Sequence, residues 1–233
     1  MTLRGFRSCG LEHLIFDFEF VSDFVLRISD FAMMDLVIAT SNLNKLKEFK
    51  ALLTDYRVTL LSLKDFPHVP EIEEDGKTFR ENALKKATLV ARATGKLTIA
   101  DDSGIEVEAL GGRPGVYSAR FAGPCAGDAE NNAKLLEELK GVAPDKRGAC
   151  FKCVLCIVTP QGETACVEGE CRGVIIGSLR GHHGFGYDPL FLVPEYNKTF
   201  SEMPPEQKNR ISHRSRALRK LLDILPRYLE KGM

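Results

Sequence analysis

Ala100-Asp101-Asp102-Ser103-Gly104 sets two adjacent carboxylates directly after an apolar run. Adjacent strand residues face opposite ways, so one aspartate can enter a site while the other holds the local backbone. Carboxylates at a strand end suit Mg2+, which takes a few hard oxygens and keeps waters. A polar Asx turn uses the same residues. A second acidic group, Glu71, Glu73, Glu74 and Asp75, precedes Gly76. A solvated loop accounts for its charge. The helix signal behind it carries Glu81, Asn82, Lys85 and Lys86. Glu81–Lys85 and Asn82–Lys86 are both i,i+4 neighbours, so one pair can decorate the surface while the other faces a site.

Three further stretches offer groups to a polyanion or a flat ring. Thr40-Ser41-Asn42-Leu43-Asn44-Lys45 lies between a strand signal and a helix signal. Helix N-termini present N–H groups and a positive dipole end to phosphate. The glycines of a Walker A loop are missing, and an ordinary capped turn reads the same way. Gly181-His182-His183-Gly184-Phe185-Gly186-Tyr187-Asp188-Pro189 combines backbone freedom with two rings that can stack on a base and a carboxylate that can accept from it. Adjacent histidines rarely chelate one ion, so this is a loop and not a metal motif. Lys208-Asn209-Arg210-Ile211-Ser212-His213-Arg214-Ser215-Arg216 puts cations at the start of the last helix, where dipole and charge attract phosphate or a purine carbonyl.

These residues need elements to hold them. Strand signals cover Leu36–Ala39, Val58–Leu63, Leu97–Ala100 (ending at Asp101), Ile105–Ala109 and Leu190–Val193, with a hairpin from Ala149–Val158 and Glu163–Cys171. Helix signals cover Lys45–Leu53, Thr78–Thr94 with a Thr78/Glu81 capping box and a Gly95 stop, Asp128–Lys140 capped by Asp128, and Ser212–Glu230 with a kink at Pro226. The order predicts an α/β protein with a mixed central β-sheet flanked by helices.

Composition removes some classes of function. Lys and Arg total 32 against 32 for Asp and Glu, so net charge gives no reason to bind nucleic acid or a membrane surface. No apolar run is long enough to span a bilayer. The seven cysteines are an odd number without a secretory signal, which predicts reduced thiols and a cytoplasmic protein. Cys150, Cys153 and Cys156 lie on a strand, with Cys153 facing away from the other two, so they are not a metal site. Residues 1–33 hold Phe6, Phe16, Phe18, Phe20, Phe24 and Phe31, six of the fourteen Phe, and read as an extension ahead of a body that begins at Met34.

Together the motifs resemble the inosine triphosphate pyrophosphatase family. The matching blocks are T-S-N-x-x-K at Thr40–Lys45, E-E-D-G-x-T-F-x-E-N-A-x-x-K-A at Glu73–Ala87, and A-D-D-S-G at Ala100–Gly104. They continue with G-G-x-P-G-V-Y-S-A-R-F at Gly111–Phe121, G-F-G-Y-D-P-x-F at Gly184–Phe191 and I-S-H-R-x-x-A at Ile211–Ala217. The resemblance implies an elongated two-lobed fold with a cleft between lobes, and a homodimer. It implies Mg2+-dependent hydrolysis of ITP, dITP and XTP to the monophosphate and pyrophosphate. It also implies that Thr40, Ser41, Asn42, Leu43, Asn44, Lys45 and Lys86 hold the triphosphate. Glu74 and Asp102 would bind Mg2+, Asp102 would activate water, and Ser103 would touch the substrate. Phe185, Gly186, Tyr187, Asp188, Lys208, His213 and Arg214 would form the base and phosphate pocket. A related pyrimidine-directed septum-type pyrophosphatase and a purine-nucleotide sensor are the competing readings.

Overall fold

Strands β1 (Met34–Ile38), β2 (Val58–Ser62), β3 (Leu97–Val107), β4 (Gly148–Val158), β5 (Thr164–Ile175), β6 (Phe191–Val193) and β7 (Lys198–Thr199) make one sheet, in the order β2-β1-β3-β4-β5-β6-β7. The computed structural model describes residues 34–54, 56–70 and 72–231. The Phe-rich segment 1–33 and Glu71 of the acidic run lie outside the described residues. β1 runs parallel to β2 and β3, and every later pairing is antiparallel. The sheet is mixed, as expected.

The aspartate pair does not end a strand, which corrects the expectation. β3 runs unbroken through Asp101 and Asp102 because β4 pairs with it from Thr98 to Val107. β1 pairs with β3 only at Leu97–Ile99, and the amide of Ala39 adds one last bond to the Ile99 carbonyl at 2.8 Å. Past that point β1 turns away. The β1 side of β3 then opens beside Asp101 and Asp102, at the carboxyl end of a parallel pair, where α/β sheets place their sites.

The helices are α1 (Leu43–Leu52), α2 (Phe79–Thr94), α3 (Asp128–Glu138), α4 (Pro205–Ile211) and α5 (His213–Lys231). The Thr78 hydroxyl accepts from the Glu81 amide at 3.1 Å, and Gly95 closes α2 at φ 64°. α3 is capped by Gly127 and not by Asp128, whose carboxylate is used elsewhere. The basic run does not open one long helix. It crosses from α4 to α5 at Ser212, whose extended backbone breaks the helix, so Lys208 and Arg214 sit on different helices. α5 continues through Pro226.

Apolar packing divides along the sheet. One cluster joins β1, β3 and β4 to Leu218, Leu221 and Leu225 of α5, and a second joins the same strands to Ala83, Ala87 and Val90 of α2. A third, around Phe151, Phe191 and Phe200, takes Leu135 of α3. β3 passes through all three, with the aspartates between them. The hairpin brings one surprise: Cys156 and Cys166 are directly opposite and joined as a disulfide. The expectation of reduced thiols fails at this pair, because cross-strand register puts the two side chains side by side. Cys153 faces the other way, buried and without a partner thiol among the described residues, and burial pushes its thiol up to about 12.

Candidate active site

A cavity of about 920 Å³ opens where β1 leaves β3. Its wall includes Thr40, Ser41, Asn42, Lys45, Glu74, Lys86, Asp102, Ser103, Phe185, Gly186, Tyr187, Asp188, Lys208, His213 and Arg214. Five separated stretches of sequence therefore converge. Leu43 and Asn44 stay off that wall. The turn is also more self-contained than expected. Asn42 Oδ1 accepts from the amides of Asn44 and Lys45 at 2.9 and 3.2 Å, and the Asn42 amide donates to Thr40 Oγ1 at 3.1 Å. The turn therefore offers the cavity hydroxyls and the Lys45 ammonium more than open N–H groups.

Asp101 and Asp102 face opposite ways, as strand geometry requires. Asp102 is 5% exposed. Its Oδ1 accepts from the Ser103 amide at 2.8 Å and its Oδ2 from Asn82 Nδ2 at 2.9 Å. One lone pair on each oxygen is thus fixed and the other remains for a cation or a water. Asn82 Oδ1 accepts from the Gly76 amide at 2.7 Å, so one buried amide ties the acidic loop to Asp102. A Cβ at Gly76 would meet that oxygen at 2.5 Å, which is why the loop carries glycine there. Burial, reinforced by the nearby Glu74 carboxylate, raises the Asp102 carboxyl to about 6. Lys86 ion-pairs with Glu74 and stays charged although burial opposes it, because Asp101 and Glu74 hold its proton.

On the other side of β3 lies a line of alternating charge. Lys45 Nζ is 2.8 Å from Asp101, and Asp101 is 3.6 Å from Arg214 Nε. Arg214 Nη1 pairs with Glu48, Glu48 is 3.3 Å from Lys208, and Lys208 is 2.7 Å from Asp188. Arg214 Nη2 also donates to Ser103 Oγ at 3.0 Å. Burial alone would raise Asp101, but Lys45 and Arg214 hold its carboxyl well below the usual carboxylate range. Three cations and three carboxylates cancel along this line.

The glycine loop is held from three sides. Its Gly186 amide donates to Asp128 at 2.7 Å, and Asn132 Nδ2 donates to the Gly186 carbonyl at 2.9 Å. Tyr187 is buried and its hydroxyl donates to the Ser118 carbonyl at 2.8 Å. Tyr187 is therefore a strut for the loop, and Phe185, half-buried with Lys208 5.1 Å from its ring, is the better platform for a base. At Gly184, φ is 78° and a Cβ would meet Asp188 at 2.0 Å, so only glycine fits. His213 stacks on Phe151 at 4.7 Å, and among the described residues no group bonds its Nδ1. Burial, with Arg214 and Lys208 nearby, keeps it neutral. Gly169 of β5 allows the start of α5 to lie against the strand, since a Cβ there would meet the His213 carbonyl at 2.2 Å.

Glu48 and Arg120 were not picked out by sequence reasoning. Glu48 had a signal: it follows Lys45 by three residues, so both share a helix face. Arg120 was visible only as part of a motif. Among the described residues no three His, Cys, Asp or Glu gather into a ready-made metal cage. Two neighbouring carboxylates, Glu74 and Asp102, the first raising the proton affinity of the second, fit a hard divalent cation that takes one or two carboxylates and completes its shell with water and phosphate.

A sequence profile of the Ham1 family matches residues 36–224. The chain is 54% identical over 194 residues to a dITP/XTP pyrophosphatase of Desulforamulus reducens, covering 83% of this chain and 96% of that one. It is also 54% identical over 193 residues to a dITP/XTP pyrophosphatase of Geobacter sulfurreducens, covering 83% and 97%. A solved HAM1 protein from Coxiella burnetii superposes with a TM-score of 0.77 at 41% identity, covering 84% of this chain and all of that one.

Proposed function

This chain belongs to the Ham1 family, and from that premise we propose that it hydrolyses ITP, dITP and XTP to the monophosphate and pyrophosphate, clearing non-standard purines from the nucleotide pool. The observation that carries the reading is the meeting, in one cavity, of the Glu74–Asp102 carboxylate pair with an aromatic platform flanked by Lys208, His213 and Arg214. Glu74 and Asp102 would hold Mg2+, which when bound would neutralise polyphosphate charge. Asp102 orients a water and takes its proton as the water oxygen attacks the α-phosphorus. The α–β bridge breaks and pyrophosphate leaves with the bridging oxygen. Lys45, Lys86, Ser103 and the hydroxyls of Thr40 and Ser41 position the triphosphate. Phe185 stacks on the base. Lys208 and His213 offer donors to the C6 carbonyl of hypoxanthine or xanthine, where adenine carries an amino group that leaves such donors unpaired, while Arg214, engaged by Glu48 and Ser103, holds that wall of the pocket in place.

Pyrophosphate release across ITP, dITP, XTP, ATP, GTP and UTP, with and without Mg2+, tests this. ITP, dITP and XTP are expected to exceed ATP by roughly a hundredfold in kcat/KM, and all turnover is expected to need the cation. Preference for UTP would replace the reading with the pyrimidine-directed one, and no turnover of any nucleotide would leave the sensor.

Cation binding carries its own pH signature. Asp102 must be ionised to bind the cation and, raised to about 6, takes a proton as pH falls through that value. Calorimetric Mg2+ affinity without nucleotide is expected to weaken below pH 6 and level off above pH 7. A flat profile across that window would show that Asp102 is not a ligand.

We further propose a homodimer in the cytoplasm, with residues 1–33 as an extension outside the catalytic domain. Among the described residues no helix is long and apolar enough to cross a membrane. Every proposed site residue lies between Thr40 and Arg214, and the Ham1 profile begins at residue 36. A protein lacking residues 1–33 is expected to keep the parent kcat, KM and number of subunits by light scattering. A change in any of them would give the extension a part in the enzyme.

A further inference from the structure

We infer that Arg120 is a further substrate-contacting residue, its guanidinium binding the polyphosphate beside Glu74; this rests on the pyrophosphatase reading above. Five Lys or Arg side chains line the cavity: Lys45, Lys86, Arg120, Lys208 and Arg214. Four already face a carboxylate. Lys45 pairs with Asp101, Lys86 with Glu74, Lys208 with Glu48 and Asp188, and Arg214 with Glu48 and Asp101. Among the described residues no carboxylate pairs with Arg120. Its Nη2 donates to the backbone carbonyl of Glu74 at 2.8 Å, and its guanidinium lies 5.2 Å from the centre of the Tyr117 ring. One of five donors is accounted for, and the charge is not compensated.

The backbone beneath Arg120 is anchored on every side. Arg120 ends the short turn Gly115–Arg120. Within it Ser118 Oγ accepts from the Ile105 amide at 2.9 Å and donates to the Gly115 carbonyl at 2.6 Å. Gly104 makes that contact possible, since a Cβ there would lie 2.3 Å from Ser118 Oγ. Asn131 grips both sides of Arg120, donating to the Ala119 carbonyl at 3.2 Å and accepting from the Ala122 amide at 2.8 Å. A side chain needed only to cap one loop carbonyl does not require a guanidinium on so firm a base. A planar fork with unused donors matches two phosphate oxygens at once. The contact with Glu74 sets it at the carboxylate end of the cavity, where the phosphates and not the base would lie.

The test compares parent, Arg120→Met and Arg120→Lys by calorimetry with inosine and with inorganic tripolyphosphate, in chelator so that no cation mediates the effect. ITP turnover of the parent is measured alongside. Arg120→Met is expected to weaken tripolyphosphate binding by roughly ten- to a hundredfold and leave inosine binding unchanged. Arg120→Lys, which keeps charge but loses the fork, is expected to fall between. Unchanged tripolyphosphate binding, or equal weakening for inosine and tripolyphosphate, would overturn the assignment. Should Arg120→Met fail to fold, Arg120→Lys decides by the same comparison: a loss confined to tripolyphosphate supports the contact, and no loss or a shared loss removes it. A parent that binds tripolyphosphate through Arg120 but turns over no ITP would overturn the pyrophosphatase reading and leave this contact standing.

Discussion

Asp102→Asn is expected to bind ITP normally and to turn it over roughly a hundred- to ten-thousandfold more slowly than the parent, the loss that follows removal of a general base. The amide keeps the shape of the carboxylate but must turn its NH2 toward one of two donors, Asn82 Nδ2 or the Ser103 amide, and it has no charge for a cation and no basic oxygen for the water proton. The fold is expected to tolerate the change, because burial and Glu74 already oppose the Asp102 charge. Asp101→Asn separates the two neighbours. The Asp101 carboxyl is held below its ordinary 3.8, so its ionised form stabilises the fold above that pH, and the contribution is lost only as pH falls through the lower folded value. Neutralising it strands Lys45 and Arg214. Melting temperature should therefore fall further in Asp101→Asn, which strands two cations, than in Asp102→Asn, which misplaces one hydrogen bond. Turnover in Asp102→Asn within about threefold of the parent would sink the assignment of the base.

Arg214→Ala should unfold more easily than any other single replacement in the cavity. It removes a 2%-exposed cation that serves Glu48, Asp101 and Ser103 at once. Taking one partner from a buried ion pair costs about 3–5 kcal/mol, because the remaining charges are left in a poor dielectric. For a domain of this size that is a fall of roughly 10 °C in Tm. Arg214→Lys should recover only part, since one ammonium cannot reach two carboxylates and a hydroxyl in the geometry of the fork. Activity should drop for ITP and ATP by a similar factor, because both Nη atoms already have partners within the protein. A Tm within about 2 °C of the parent would show that the charged line adds nothing to the fold. A change of more than about threefold in the ITP/ATP ratio of kcat/KM would show that Arg214 reads the base itself.

Much of the site was legible because its pieces are local. The turn after β1, the acidic loop ahead of α2 and the glycine loop each announce themselves by residue type within a few positions. What was not legible depends on where strands begin and stop. The aspartate pair read as a strand end, since Ser103 and Gly104 are poor strand formers, yet pairing with β4 carries β3 straight through. The break at Ser212 is hidden for the same kind of reason: nothing in I-S-H-R interrupts a helical period, and only the placement of Lys208 and Arg214 around Glu48 shows two helices meeting. Tyr187 looked like a second stacking ring because burial of its hydroxyl against Ser118 is a contact across 69 residues. Cys156 and Cys166 were counted as thiols because composition carries no register.

The cancelling line from Lys45 to Asp188 bears on how a nucleotide arrives. A cavity lined with unpaired cations would draw every polyphosphate in the cell from a distance and accelerate capture of standard and non-standard nucleotides alike. Here the charges along that line are matched pairwise at 2.7–3.6 Å, Arg120 is one uncompensated cation among the five on the wall, and the whole chain has 32 basic against 32 acidic residues. The long-range field is correspondingly weak, so encounter is close to ordinary diffusion for any nucleoside triphosphate. Discrimination then falls on residence time: the right base stays long enough for the water to attack, and the wrong one leaves first. An abundant ATP pool thus occupies the enzyme only briefly.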